Sequence, residues 1–443
     1  MIQTGLIPNA HGDLVTDASY DFYGLRLATC SLDQRIKIWQ LDEANGAWST
    51  EDDWKAHDAA VSKISWAHPE FGSIIASSSF DRTVKVWEQA APGAAADQQT
   101  NANAIGQSSS QGASRWIERA VLPDARGTVR MVEFAPHHFG LKLASIASDS
   151  ILRIYECIEQ PSLTSWQLVD EIDVQTVVAG PSPGYLSRTH TIALATPTQT
   201  HATLEGASAS LVAQALQQGL QQGTGSSAPL ARPGIGNREA DGGWCLSWCK
   251  DRYWGEVIAA GCGTSGTIKI IQINARRSNT LLTLDATPSS SASNAGAPVN
   301  PLQTSTAVEP ANTPSGTSYA ITSVAWAPSC GRSYHLIATG GRDGHVRIWK
   351  VKPGSDDAAE GDHEAAKWTA VSVADFDHHK SAVGRVEWNI TGTVLSSAGN
   401  DGRIRLWKAT AGNVWRPAGS VGVEQATGEP NTQTENKDVD MDS

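Results

Sequence analysis

The stretch SLDQRIKIW at residues 31–39 returns, little changed, as SFDRTVKVW at residues 79–87. Each copy places an Asp near its start, alternates polar and apolar residues, and ends on Trp. Alternation with period two is the mark of a half-buried strand. The Asp stands where the chain must turn into that strand. The phrase recurs as SDSILRIY at 148–155, RDGHVRIW at 342–349 and NDGRIRLW at 400–407. A degenerate copy, TSGTIKII at 264–271, has Ser265 in place of the Asp and Ile271 in place of the Trp.

A second shared phrase precedes each copy, as in ISWAHPEFGSIIASSS at 64–79 and VEWNITGTVLSSAGN at 386–400. Two apolar runs flank a turn rich in Pro, Gly, Asp or Asn, which predicts two strands. With one outer strand added, each unit is a four-stranded antiparallel sheet. Such a sheet cannot bury both faces alone, and radial stacking against its neighbours solves that problem. The Asp and Trp positions match the WD-repeat pattern. The fold class predicted is all-β: a six-bladed WD-repeat β-propeller filling residues 1–420, with blades at about 11–55, 57–120, 124–173, 185–285, 319–375 and 379–420.

The repeated polar residues predict a network that pins each sheet. Asp33, Asp81, Asp149, Asp343 and Asp401 are placed to accept hydrogen bonds in their turns and from a loop histidine. His11, His57 and His379 are the candidate partners, with Ser31, Ser79 or Ser148 expected to join them. Trp39, Trp87, Tyr155, Trp349 and Trp407 complete the structural set. Ser, His and Asp together invite a catalytic-triad reading. Recurrence in blade after blade excludes it, because an active site is normally unique. In blade 3, Asp124 and Arg126 stand where the histidine is expected. Blade 4 has lost both Asp and Trp, so it is expected to be less regular.

Bulk properties exclude other classes of function. The 443-residue chain carries a formal net charge of -12, which disfavours direct nucleic-acid binding. No apolar run is long enough to span a membrane, and the opening MIQTGLIPNAHGD lacks the pattern of a secretory signal. The 6 cysteines lack zinc-finger spacing. No catalytic residue, cofactor or metal ligand is expected.

Segments poor in large apolar residues are expected to be disordered: insertions at about 91–114, 200–241, 287–318 and 354–366, and an acidic tail at 421–443. Within the second insertion, GASASLVAQALQQGLQQG at 206–223 could form a short helix that docks a partner.

The two ends of the chain hold the functional clue. Residues 1–12 are too short and polar to supply an outer strand before blade 1, and blade 6 draws four strands from its own sequence. Nothing remains to latch the ring or to build a seventh blade. An open propeller is therefore expected, with free flanks that a partner covers by adding strands. The flanking residues selected from sequence are Leu14, Val15 and Asp17 at the start of blade 1, Trp54 in its outer strand and Trp415 in the outer strand of blade 6.

Three phrases carry a more specific resemblance: residues 66–88, 121–156 and 386–408 look like the SEH-family nucleoporin, the smaller WD-repeat propeller of the Y-shaped nuclear pore subcomplex. The first phrase is also similar to the sister propeller of the COPII vesicle coat. The likeness is good over blades 1, 2, 3, 5 and 6, weak over blade 4 and absent from the insertions. It implies an open propeller, a helical scaffold nucleoporin that donates a blade in trans, and other Y-complex subunits as partners. It also implies a second place in the SEA/GATOR complex, which acts on TOR kinase. The implied locations are the nuclear pore at the nuclear envelope and the cytoplasmic face of the vacuole or lysosome, with membrane association only through the complex. A vesicle-coat propeller and a generic WD-repeat peptide receptor are the alternative readings.

Overall fold

The computed structural model describes residues 7–90, 115–160, 162–178, 241–274, 277–286, 319–354 and 367–422. The helix expected within 206–223 falls outside them, as do the insertions and the tail, except for residues at their edges. One such edge corrects an expected boundary. The last strand, Trp415–Gly422, runs into the segment assigned to the tail.

Six four-stranded sheets make up the described residues, each a meander of consecutive antiparallel strands. Blade 1 comprises Val15–Tyr20, Arg26–Ser31, Arg35–Asp42 and Ala47–Lys55. Blades 2 and 3 run from Val61–Trp66 to Trp116–Leu122 and from Val129–Phe134 to Trp166–Asp173. Blades 4 and 5 run from Gly243–Trp248 to Asn279–Asp285 and from Ile321–Trp326 to Thr369–Phe376. Blade 6 comprises Val383–Trp388, Val394–Gly399, Arg403–Ala409 and Trp415–Gly422.

Strand alternation sends the two apolar sets of each third strand to opposite faces. In blade 1, Ile36 and Ile38 pack toward blade 2, in a cluster with Val61, Ile64 and Ile75. Trp39 lies on the other face. A bulge follows in every blade where this aromatic position pairs with the outer strand, as at Ile38/Trp39 and Leu406/Trp407. The extra residue increases the local twist, which suits radial stacking.

The turn into the third strand is equally regular. The residue after the Asp position is left-handed in all six blades: Gln34, Arg82, Ser150, Gly266, Gly344 and Gly402. Asp33 holds this turn by accepting from Arg35 N at 3.0 Å, and Asp81 does so by accepting from Thr83 N at 2.9 Å.

From the turn a hydrogen-bond chain crosses the sheet. In blade 2, the Trp87 indole donates to Ser77 Oγ at 2.9 Å, Ser77 Oγ lies 2.8 Å from His57 Nε2, and His57 Nδ1 lies 2.9 Å from Asp81. Thr29 links Trp39 to His11 in the same way, and Ser397 links Trp407 to His379. The bridging hydroxyl corrects the sequence expectation. It belongs to Thr29 and Ser77, two residues before the selected Ser31 and Ser79, and in blade 6 to Ser397, where no serine was selected. Ser31 and Ser79 cap the turns, accepting from Asp33 N and Asp81 N, while Ser148 accepts from Thr128 N.

Where the histidine is missing, arginine replaces it. Arg153 Nη2 reaches Asp149 at 2.8 Å, and Arg347 Nη2 reaches Asp343 at 2.8 Å. Burial opposes charge on Asp81, but hydrogen bonds from His57 and Thr83 outweigh it and hold the carboxyl well below the usual range.

Blade 4 corrects another expectation. Despite losing Asp and Trp, it forms a complete meander with the same outer bulge, at Ile270/Ile271. Ser265 and Thr267 hydroxyls, 2.9 Å apart, stand in for the turn carboxylate, and Ile271 is fully buried. Apolar burial on both faces is enough to order the sheet. What blade 4 lacks is the first-strand bulge of the other five.

Between blades 4 and 5, His335 is buried among Trp254, Trp326 and Trp368, with the Trp368 ring stacked on it at 5.9 Å. Neither ring nitrogen has a hydrogen-bond partner. Burial pushes its pKa down to about 4, with Arg332 acting in the same direction.

Two measurements test these assignments. Asp81→Asn should lower stability by about 1–3 kcal/mol in chemical denaturation, because it disrupts a buried network; an unchanged midpoint would remove Asp81 from the sheet's support. For His335 the unfolded state takes up a proton near pH 6.5 and the folded state only near pH 4. The wild type should therefore lose stability as pH falls through this window. His335→Phe should flatten that loss by up to about 1.4 kcal/mol per pH unit. Equal pH slopes for the two proteins would refute the buried neutral imidazole.

Candidate functional site

Five of the six junctions between successive blades are filled by apolar clusters. They join blades 1 and 2, 2 and 3, 3 and 4, 4 and 5, and 5 and 6. Among the described residues, no such cluster joins blade 6 to blade 1. The propeller is open there.

The same repeat position reads differently on the two kinds of face. Three residues before the repeated aromatic stand Ile36, Val84, Leu152, Ile268, Val346 and Ile404. The first five are at most 1% exposed, whereas Ile404 is 45% exposed. Leu406 is half-exposed, although Ile38, Val86, Ile154, Ile270 and Ile348 at its position are buried. Blade 6 has the side chains of a packed blade without the neighbour.

Blade 1 shows the complementary face. In blade 2, Val61, Trp66, Trp87 and Trp116 face blade 1. Strand register places Val15, Tyr20, Trp39 and Trp48 at those positions in blade 1. Val15 is 49% and Tyr20 59% exposed, with Tyr20 and Trp48 rings 5.8 Å apart. Leu14, just before the strand, is also exposed.

The inner ends of blades 1 and 6 nevertheless touch. Arg385 of blade 6 donates to Ala18 O at 2.7 Å and to the Asp17 carboxylate. Asp17 is buried and also takes Lys63 Nζ at 2.8 Å and Ile64 N at 3.2 Å. Elsewhere a hydroxyl stitches one first strand to the next: Thr16 to Val61 O, Ser62 to Val129 O, Thr322 to Val383 O. In blade 6 that position is Gly384, which has no side chain to offer. A charge pair at the axis replaces both the stitch and the apolar packing.

The residues selected from sequence thus separate. Val15 lies on the open flank, Leu14 is exposed just before it, and Asp17 lies at the flank's inner end. Trp54 and Trp415 do not flank the opening, which corrects that expectation. Trp54 is buried against blade 2, stacked 5.7 Å from Trp116, and Trp415 is buried in the cluster between blades 5 and 6, 5.4 Å from Trp388. Sequence reading missed Tyr20, Trp48, Ile404 and Leu406. The signal was available in the repeat register: Tyr20 stands where Trp66 and Trp388 end their first strands.

Among the described residues, no three His, Cys, Asp or Glu side chains are placed to hold a metal ion. No described helix is long and apolar enough to cross a membrane.

Comparisons with known proteins agree with this architecture. The WD domain, G-beta repeat model matches residues 4–40, 48–88, 309–350 and 370–408. Nucleoporin SEH1 of Saccharomyces cerevisiae is 30% identical across 94% of this chain and 99% of its own length. Nucleoporin SEH1 of Homo sapiens is 31% identical across 95% of this chain and 88% of its own. Nucleoporin seh1 of Schizosaccharomyces pombe is 29% identical across 96% and 98%.

Matched substitutions test the opening directly. Ile36→Ala should cost about 2–5 kcal/mol, the penalty for a fully buried isoleucine. Ile404→Ala, at the same repeat position, should stay within about 0.5 kcal/mol of wild type. Equal losses on denaturation would mean that blade 6 is covered in the free chain.

Proposed function

The chain belongs to the SEH1 family of nucleoporins, and from that footing we propose that it is a structural, non-enzymatic subunit of the nuclear pore scaffold. Its open flank accepts a blade donated in trans by a helical scaffold nucleoporin, within the Y-shaped subcomplex. The observation that carries this reading is the exposure of Ile404 opposite Val15 and Tyr20, where the repeat supplies apolar faces and no neighbour. A blade inserted there would pair along exposed strands and bury both faces at once.

The same flank would serve a second assembly, the SEA/GATOR complex at the vacuole or lysosome membrane, which the family resemblance implies. Membrane association would then come through the complex rather than through this chain.

Affinity purification of the tagged full-length chain tests the proposal. One large helical protein should return near one to one, accompanied by pore subunits. Val15→Asp with Ile404→Asp should reduce its recovery at least tenfold while leaving the melting temperature near that of wild type. Full recovery with the double variant would refute insertion at the open flank. Recovery of coat subunits instead of pore subunits would point to the vesicle-coat sister.

A further inference from the structure

Away from the open flank, the rim between blades 5 and 6 holds a groove of about 530 Å³. Leu336, Val373 and Trp415 are its main apolar lining, with Tyr334 on one side. Arg332, Lys350 and Lys408 also line it, and among the described residues no Asp or Glu does. In a chain of net charge -12, such a patch runs against the average.

The repeat shows how the patch arises. The residue after the repeated aromatic is Gln40, Glu88, Glu156, Gln272, Lys350 and Lys408 in blades 1 to 6. In blades 2 and 3 this position is acidic and internally paired, Glu88 with Arg119 and Glu156 with Lys142. In blades 5 and 6 it is lysine twice, on neighbouring blades and around one groove. Lys350 lies 4.1 Å from the Tyr334 ring centroid. Arg332 is held by carbonyls, donating to Gly392 O at 3.1 Å and to Pro328 O. Among the described residues, none of these three cations has a carboxylate partner.

We propose that this groove binds an extended acidic segment of a partner protein, in which a large apolar side chain is flanked by carboxylates. The apolar side chain enters the floor at Leu336, Val373 and Trp415, and the carboxylates meet Lys350 and Lys408. The volume suits one or two large side chains in a pocket of ordinary size. The charge arrangement favours an acidic ligand and disfavours a basic one. The site does not depend on blade insertion at the open flank.

The test is fluorescence anisotropy on the purified full-length chain. The probe is a labelled peptide, Glu-Asp-Glu-Leu-Phe-Glu-Asp-Glu. A second peptide carries Ser-Ser in place of Leu-Phe. Saturable binding of the first is expected, weakened at least tenfold by Lys350→Glu with Lys408→Glu and at least tenfold in the Ser-Ser peptide. Lys408→Glu alone, at an exposed position, should weaken it several-fold with no change in melting temperature. Absence of saturable binding, indifference to charge reversal, or equal binding of the Ser-Ser peptide would each overturn the proposal. So would binding seen only after residues 355–366 are replaced by a Gly-Ser linker, since the chain's own acidic insertion would then be the occupant.

Discussion

A four-stranded sheet with apolar side chains on both faces must be covered on both faces, and the rest of this molecule depends on that constraint. Each third strand sends one set of aliphatic side chains forward and one aromatic backward. The forward face of one blade and the backward face of the next make one apolar layer, and five such layers hold the described propeller together. The polar network is subordinate to this packing. Blade 4 keeps its sheet without Asp or Trp because Ile268, Ile270 and Ile271 still bury both faces.

The network has another role, which explains its partial replacement. Burying a turn carboxylate is tolerable only when it is fully hydrogen-bonded. Histidine supplies that in blades 1, 2 and 6, and arginine does so from the third strand in blades 3 and 5. In blade 6 both reach the Asp, since Arg405 Nη1 lies 2.8 Å from Asp401 and 2.7 Å from His379 Nδ1. Burial lowers the His379 pKa, although Asp401 opposes the shift.

Much of this was legible in the sequence, because repetition exposes the pattern six times. Strand period, turn Asp and terminal aromatic determine the blade, and counting determines the number of blades. The flank itself was harder. Trp54 and Trp415 attract attention as large residues near the ends of the chain, yet an outer-strand Trp can face either neighbour. Which one it faces depends on strand register, and a bulge such as Ile38/Trp39 shifts that register by one residue. The bridging hydroxyls were misplaced by two residues for a related reason. Ser31 and Thr29 point to the same face of the strand, and only the position of the Trp39 indole selects between them.

The pairing of Arg385 with Asp17 gives the ring a mechanical character unlike that of a latched wheel. With no apolar layer between blades 6 and 1 among the described residues, the propeller behaves as a linear stack bent until its ends touch. Stability in such a stack accumulates from nearest-neighbour interfaces, and the terminal units have one interface instead of two. Blades 1 and 6 are therefore its fraying ends, joined by the contacts of Arg385 with the Asp17 carboxylate and Ala18 O. Asp17 is buried, so added salt screens this pair far less than it would an exposed one. The seam is thus a hinge of a few polar contacts, and the two end blades can part there without breaching any of the five apolar layers.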